Sequence, residues 1–398
     1  MKKILIVCQF FYPEQFRIND IAFEWVERGY DVTVVTGIPN YPEGEFYKGY
    51  GLFRNRKQKI NGVKVYRLPL IPRGHSKLGL VLNYLSFPVS GFFWNLFTKI
   101  DADLVFMLET SPMNQCKVGV QYAKRHKVPC LLYVQDLWPE NVEMITGIHS
   151  PLIIKPITRM VEKIYDGCTH IFGSSPSFVE AIRQHVKPEE WDKVHFWPQY
   201  AEEFYAPVEK KPHEGFVIMF TGNIGQAQGL EILPRVAAKL QAQGHSDISF
   251  IIVGDGRARG SLEDAIAEND VDDMFIFTGR KLPTEIPELL ATADAAFISF
   301  APDDIFAKTI PAKLQSYMAC GMPILASAIG ETERVIKEAD CGLCSPIGDE
   351  DALIANILEM KATSGARLYD MGQHAAAYNA EHFAKKTLMD QMETYLNA

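Results

Sequence analysis

The stretch "QYAEEFYAPVEKKPHEGFVIMFTG", Gln199–Gly222, decides the fold. Its first fourteen residues, Gln199 to Pro212, are polar and Pro-bearing and follow no period, whereas Phe216 to Gly222 form an apolar run typical of a buried strand. A connector followed by a fresh strand marks a domain boundary. Upstream, "KILIVCQF", "DVTVVTG", "VKVYRLPLI", "DLVFMLE", "VPCLLYVQD" and "THIFGSS" read as strands; downstream, so do "FVIMFTG", "ISFIIVGDG", "MFIFTGR", "AAFISF" and "PILAS". Strands alternating with helical stretches predict an α/β protein of two doubly wound, Rossmann-like domains, with ligands at the strand carboxyl ends and a deep cleft between the halves. The expected division is residues 1–199, residues 213–378, and a C-terminal helix over 379–398 packing back toward the first domain.

A chain of 398 residues, 47% apolar and 22% charged, is long enough for two cores. The N-terminal "ILIVCQF" is too short for a signal peptide and sits where a first strand belongs, which points to the cytoplasm. Seven scattered cysteines suit reduced thiols, and Cys341 and Cys344 form a lone CxxC with no second pair, so no metal site is expected. The net charge of −9 is uneven: Phe46 to Ile100 contains no acid and ten cations, leaving about −19 on the rest. Such a field attracts phosphates or an anionic membrane surface. Within it, "LGLVLNYLSFPVSGFFWNLF", Leu78–Phe97, is long enough to span a bilayer but is interrupted by Asn83, Ser86, Pro88, Ser90 and Asn95. Two readings stand, a buried helix between strands and a helix lying in the membrane interface. Stacked aromatics on an exposed sheet are not discernible, so no nucleic-acid partner is expected.

Several short motifs carry candidate chemistry. In "TGNIGQAQGLE", Gly222, Gly225 and Gly229 lie between a strand and a helix, where backbone N–H groups can approach an anion. "VGDGRARG" resembles a dinucleotide fingerprint, but the next strand ends in Gly-Arg and not in a ribose-binding acid, which favours close packing for Gly254, Gly256 and Gly260. "QFFYPEQFRIND" places Arg17 just ahead of Asn19, read as a helix N-cap. "YVQDLWPENV" puts Asp136 at a strand end, suited to orienting a substrate hydroxyl or to proton transfer, with Glu140 one turn on as a helix cap. Arg280 and Lys281 follow another strand. "KTIPAKLQSYMACGMP", Lys308–Pro323, reads as a loop, a helix opened by Pro311 and a stop at Gly321.

Taken in order, "IVGDG", "FTGR", the helix ending "YMACGMPIL" and the W-P-x-Y connector resemble family 4 retaining glycosyltransferases of the GT-B fold, over essentially the whole chain. "PEQFRINDIAFEWVERGYDVTVVTGIPNYPEG", "INGVKVYRLPLIPRG", "LNYLSF" and "VQDLWPEN" look like the bacterial O-antigen and capsule branch, which includes N-acetyl-L-fucosamine transferases. The resemblance implies a nucleotide-sugar donor, UDP-linked by preference, with no cofactor and no metal. It implies Gly222 and Asn223 at the donor diphosphate, Arg280 facing the base, and phosphate contacts from Thr309, Ile310, Pro311, Ala312 and Lys313. Gln135 and Asp136 stand where the family has its sugar-facing catalytic residue, and the Phe16 to Asn19 turn closes over the diphosphate. The acceptor implied is a polyprenyl diphosphate-linked saccharide at the inner-membrane surface.

The chain departs from that pattern in a correlated way. An Arg and a Lys usual after the first strand of the second domain are replaced by Asn223 and Gln228, and two glutamates eight residues apart by Lys308 and Ser316. Lys308, Lys313 and Arg17 are three cations that would restore the missing charge, with Ser316 able to bond a ribose hydroxyl. A nucleotide-sugar 2-epimerase-like enzyme and a non-catalytic membrane-docking protein are the alternatives.

Overall fold

All eleven apolar runs become strands; the central ones, such as β5, β6 and β12, are buried throughout and need no polar alternation, whereas β11 at a sheet edge is only partly buried. The computed structural model describes residues 1–397, apart from the side chains of Lys77 and Ile145, and divides into the units Met1–Trp197 and Pro198–Asn397. The first unit carries β1 (Lys3–Val7), β2 (Asp31–Gly37), β3 (Lys57–Ile60), β4 (Val63–Leu68), β5 (Leu104–Glu109), β6 (Cys130–Val134), β7 (His170–Gly173) and β8 (Val194–Phe196), in the order β3-β4-β2-β1-β5-β6-β7-β8. Its helices are α1 (Arg17–Glu27), α2 (Lys77–Phe97), α3 (Lys117–His126), α4 (Glu140–Thr146), α5 (Pro151–Asp166) and α6 (Pro176–Arg183). The sheet departs from the all-parallel expectation at one edge, where β3 pairs antiparallel with β4 across Asn61-Gly62, both at positive φ. "KQKI" is too polar to read as a strand, and its lysines guard an exposed edge.

The second unit carries β9 (Phe216–Asn223), β10 (Ile248–Asp255), β11 (Phe275–Gly279), β12 (Ala295–Ser299), β13 (Ile324–Ser327) and β14 (Gly342–Ser345), all parallel, in the order β11-β10-β9-β12-β13-β14. Around it lie α7 (Ile232–Ala242), α8 (Arg259–Glu268), α9 (Ile286–Leu290), α10 (Ala312–Ala319), α11 (Glu331–Glu338), α12 (Glu350–Ala362), α13 (Gly365–His382) and α14 (Lys385–Asn397). One core layer includes Leu233, Leu262 and Ile357, and the other Leu290, Leu314 and Ile336. The tail is thus two helices broken at Phe383-Ala384, and α14 is counted with the second unit. A Cβ on Gly254 (φ +146°) would lie 1.8 Å from the Gly222 carbonyl oxygen, and one on Gly256 2.2 Å from that of Ile224. Close packing therefore explains these two glycines, while Gly260 faces open space.

The helix α2 is built inside out. Asn83, Phe87, Gly91 and Asn95, four residues apart, face the unit and are buried. Leu78, Val81, Leu82, Leu85, Val89, Phe92, Phe93 and Leu96 recur at three- and four-residue spacing on the exposed side. The buried-helix expectation is corrected accordingly: Asn83, Phe87, Gly91 and Asn95 are the residues of the Leu78–Phe97 stretch that are buried. Pro88 removes the N–H that would meet the Tyr84 carbonyl, and Asn114 Nδ2 donates to that oxygen instead, at 2.9 Å.

Polar side chains pin the loops that leave β1 and β2. Asn83 Nδ2 donates to the Ile71 carbonyl (2.7 Å) and to Asn40 Oδ1 (3.3 Å), while its Oδ1 accepts from Gln9 Nε2 (2.8 Å). Glu14 Oε1 accepts from the N–H groups of Asn40 (2.9 Å) and Tyr41 (2.8 Å). Burial outweighs these bonds and raises the Glu14 pKa to about 7.

Asn83→Ala leaves buried donors and acceptors unsatisfied, so it is expected to lower stability by about 2–4 kcal/mol in urea unfolding. A loss under 0.5 kcal/mol would contradict the pinning role. Glu14, with a folded pKa above its ordinary 4.5, stays protonated in the folded chain while the unfolded chain ionises. Its contribution is therefore fully present below about pH 4.5 and is lost as pH rises toward 7, by about 3 kcal/mol in total. Comparing wild type with Glu14→Gln from pH 4.5 to 8 isolates this slope, and parallel stability profiles would refute it.

Candidate functional site

In an open α/β sheet the crevice for ligands forms where strand order reverses. In the second unit this is the β9/β12 junction. Gly222 and Asn223, both exposed, end β9, with Gly222 at φ +128°. From the facing side comes α10, with Pro311 at its N-cap, so Ala312 and Lys313 are its first residues and their N–H groups lack helical partners. Tyr317, fully buried, locks the two pieces together: its hydroxyl accepts from Thr221 N at 2.8 Å, and burial pushes its pKa up.

Lys313 reaches across this junction. Its Nζ donates to Gln228 Oε1 at 2.7 Å, stands 3.8 Å from the Phe220 ring centroid, and would lie 3.9 Å from a Cβ on Gly222. Burial lowers its pKa to about 7. Lys308 ends the 3-10 turn Asp304–Lys308 and is half-buried. Thr309 Oγ1 donates to the Ile305 carbonyl (3.2 Å), and its own carbonyl accepts from Thr332 Oγ1 (2.8 Å), so it braces the loop. Ile310 is buried, and Ser316 Oγ donates to the Ala312 carbonyl at 3.2 Å from a nearly buried position. Arg280 is exposed beyond β11, two strands from β9. Lys313 and Gly222 are thus together, while Arg280 stands at the sheet's edge.

In the first unit order reverses between β1 and β5. Gln9 N donates to Gln115 Oε1 (2.6 Å) there, and Gln115 Nε2 to the Thr110 carbonyl (2.6 Å). Glu109 ends β5 fully buried, and its Oε2 accepts from the Asp136 N–H at 3.1 Å. Burial, then the nearby Asp136 carboxylate, holds the Glu109 carboxyl far above the usual range. Asp136 Oδ2 accepts from Ser111 N at 2.7 Å, which fixes that carboxylate at the mouth of the strand ends. Gln135 follows β6, and burial pushes the pKa of nearby Tyr133 up, opposed in part by Gln135 and by the charge of Arg17.

Asn19 is not the cap of α1. The helix begins at Arg17 with Phe16 at the N-cap, and Asn19 is buried in the first turn. It ties the preceding loop instead, accepting from Tyr12 N (2.9 Å) and donating to the Glu14 carbonyl (2.7 Å). Phe16 stacks on Phe10, with ring centroids 5.0 Å apart. Glu140 is the first residue of α4, following Pro139 at the N-cap. Sequence reasoning missed Glu109, Glu14, Gln115 and Tyr317. Glu109 carried a signal, an acid closing an otherwise apolar strand.

Residues 201–378 match the family model for glycosyl transferases group 1. The chain is 26% identical over 366 residues to the putative colanic acid biosynthesis glycosyl transferase WcaI of Escherichia coli strain K12, covering 83% of this chain and 84% of that protein. Among solved structures it is similar to sucrose-phosphate synthase from Thermosynechococcus elongatus, with a TM-score of 0.79 and 15% identity over 100% of this chain and 98% of that one. It is similar also to Anabaena Alr3699/HepE in complex with UDP-glucose, with a TM-score of 0.69 and 16% identity over 100% of both chains. The chain is a glycosyltransferase of the GT-B fold, and its residues 201–378 are similar to the group 1 glycosyl transferases.

Proposed function

We propose that this glycosyltransferase moves a sugar, N-acetyl-L-fucosamine or another N-acetylated deoxysugar, from a UDP-linked donor to a polyprenyl diphosphate-linked saccharide, with retention and without a metal. It does so at the cytoplasmic face of the inner membrane, in synthesis of a bacterial surface polysaccharide such as O-antigen or capsule. The relationship to a colanic acid biosynthesis protein supports a polysaccharide product, and the likeness to a UDP-glucose complex supports the base. The observation that carries the lipid acceptor is the outward apolar face of α2 within a stretch that has no acid from Phe46 to Ile100.

In this reading Lys313 and the first N–H groups of α10 meet the donor diphosphate, with Lys308 and Arg17 adding charge, and electrostatic preorganisation drives departure of UDP. The acceptor oxygen bonds to the anomeric carbon as the carbon–diphosphate bond breaks. The acceptor proton goes to the departing phosphate oxygen or to Asp136, which orients the hydroxyl beside Gln135. Gly222 and Asn223 give the diphosphate close backbone approach, Ser316 the ribose, and Arg280 the base.

A donor panel assayed with membrane lipid extracts is expected to give transfer from a UDP-N-acetyl sugar to a lipid fraction, with the anomeric configuration kept by proton NMR. Inversion, or turnover without lipid that yields only a donor epimer, would overturn the reading. The free Lys313 amine charges fully only below about pH 7, and a diphosphate favours the charged form. UDP binding above pH 7 should therefore take up a proton and weaken as pH rises, as calorimetry in buffers of different ionisation heat would detect. Lys313→Met should lose that uptake and bind UDP at least tenfold more weakly, whereas wild-type affinity in the variant would remove Lys313 from the donor site.

A further inference from the structure

Three adjoining concavities run along one side of α2. The first, about 430 Å³, lies between Leu52, Ile71, Leu82 and Leu85, and shares Pro69 and Ser90 with the second, about 460 Å³, which adds Phe93 and Phe97. The second shares Arg56, Leu68, Trp94 and Thr98 with a third of about 620 Å³. The first two are apolar and lie against the exposed stripe of a helix about 30 Å long. The third is a chamber whose wall includes Lys3, Arg56, Lys57, Lys64, Arg67 and Lys99 against only Asp31 and Asp101, an excess of four positive charges. Lys3 and Lys64 are paired with Asp101 (2.7 Å) and Asp31 (2.8 Å). Among the described residues, Arg56, Lys57 and Lys99 meet no carboxylate.

The chamber is not the transfer site. Neither Glu109 nor Asp136 lines it; its wall runs along the sheet from Lys3, Asp31 and Asp101, at or before the amino ends of β1, β2 and β5, to Arg67 and Leu68, which close β4. An apolar trough that opens into a cationic chamber matches an amphiphile with an anionic head and a long apolar tail. Charge complementarity selects the occupant.

We infer that the groove beside α2 holds one anionic phospholipid, its phosphate in the chamber beside Arg56, Lys57 and Lys99 and an acyl chain in the trough under Phe93 and Leu85. The inference rests on the membrane-facing reading of α2 and adds to it a defined headgroup site, so that docking selects anionic lipid. The free energy comes from apolar burial along the trough and from unpaired cations near a negative surface.

The test uses the full chain, sedimented with vesicles of phosphatidylcholine alone or with 30% phosphatidylglycerol at 0.15 M salt. Wild type is expected to bind the phosphatidylglycerol vesicles at least tenfold more tightly. Lys57→Glu with Lys99→Glu should lose that preference and keep its UDP affinity by calorimetry. The control pair Lys48→Glu with Lys59→Glu changes charge equally outside the chamber and should retain most of the preference. An equal loss in the control would replace the site with a diffuse surface field and overturn the inference, as would full preference in the chamber variant. Competition by millimolar inorganic phosphate at low occupancy of lipid would make the occupant a soluble anion and likewise overturn it. Leu85→Ser with Phe93→Ser should abolish binding to both vesicles; wild-type binding there would instead refute membrane docking through α2 itself.

Discussion

The first unit depends on the hydrogen bonds of one buried amide. Asn83 lies on the inward face of an otherwise apolar helix and meets Gln9, Asn40 and the Ile71 carbonyl, so three loops are satisfied by one side chain. A leucine there would suit the helix and strand the loops. The polar residues that interrupt the apolar run are therefore its anchoring points, and the apolar residues are left facing outward. One arrangement positions the strand ends and turns an apolar face to the surroundings.

Burial tunes charge in opposite directions in the two units. In the first it pushes the Glu109 carboxyl well above the usual carboxylate range, and the neighbouring Asp136 carboxylate pushes the same way. In the second it weakens the hold of Lys313 on its proton near neutrality. Both groups lie at reversals of strand order, where the backbone opens a crevice without unfolding an element. The sheets thus fix where the perturbed groups stand, and desolvation decides what they are.

Eleven strands were legible in the sequence because a covered strand is a continuous apolar run; β3, β8 and β14 were not, since an edge strand of lysines and runs of three or four residues carry no such signal. The glycines of "VGDG" were read correctly as packing, a matter of local backbone. Asn19 was misread because a helix start was inferred from one capping residue, when the loop from Tyr12 to Glu14 gave Asn19 other partners. Arg17 and Lys313 could be named as cations, but Gln228, which accepts from Lys313, is 85 residues away in sequence, and the pairing follows from topology alone. Likewise the outward direction of the α2 stripe depends on what lies beneath it, which a hydrophobic period cannot state.

The contact between Lys313 and Gln228 has a consequence for how relatives of this chain can vary. Gln228 offers an oxygen to an ammonium 2.7 Å away, so a lysine at 228 would set two cations in one space. Positions 228 and 313 are then exclusive alternatives for a single charge. Across descendants a cation at one should accompany a neutral residue at the other, and chimeras that join β9 from one lineage to α10 from another would fail by carrying both cations or neither.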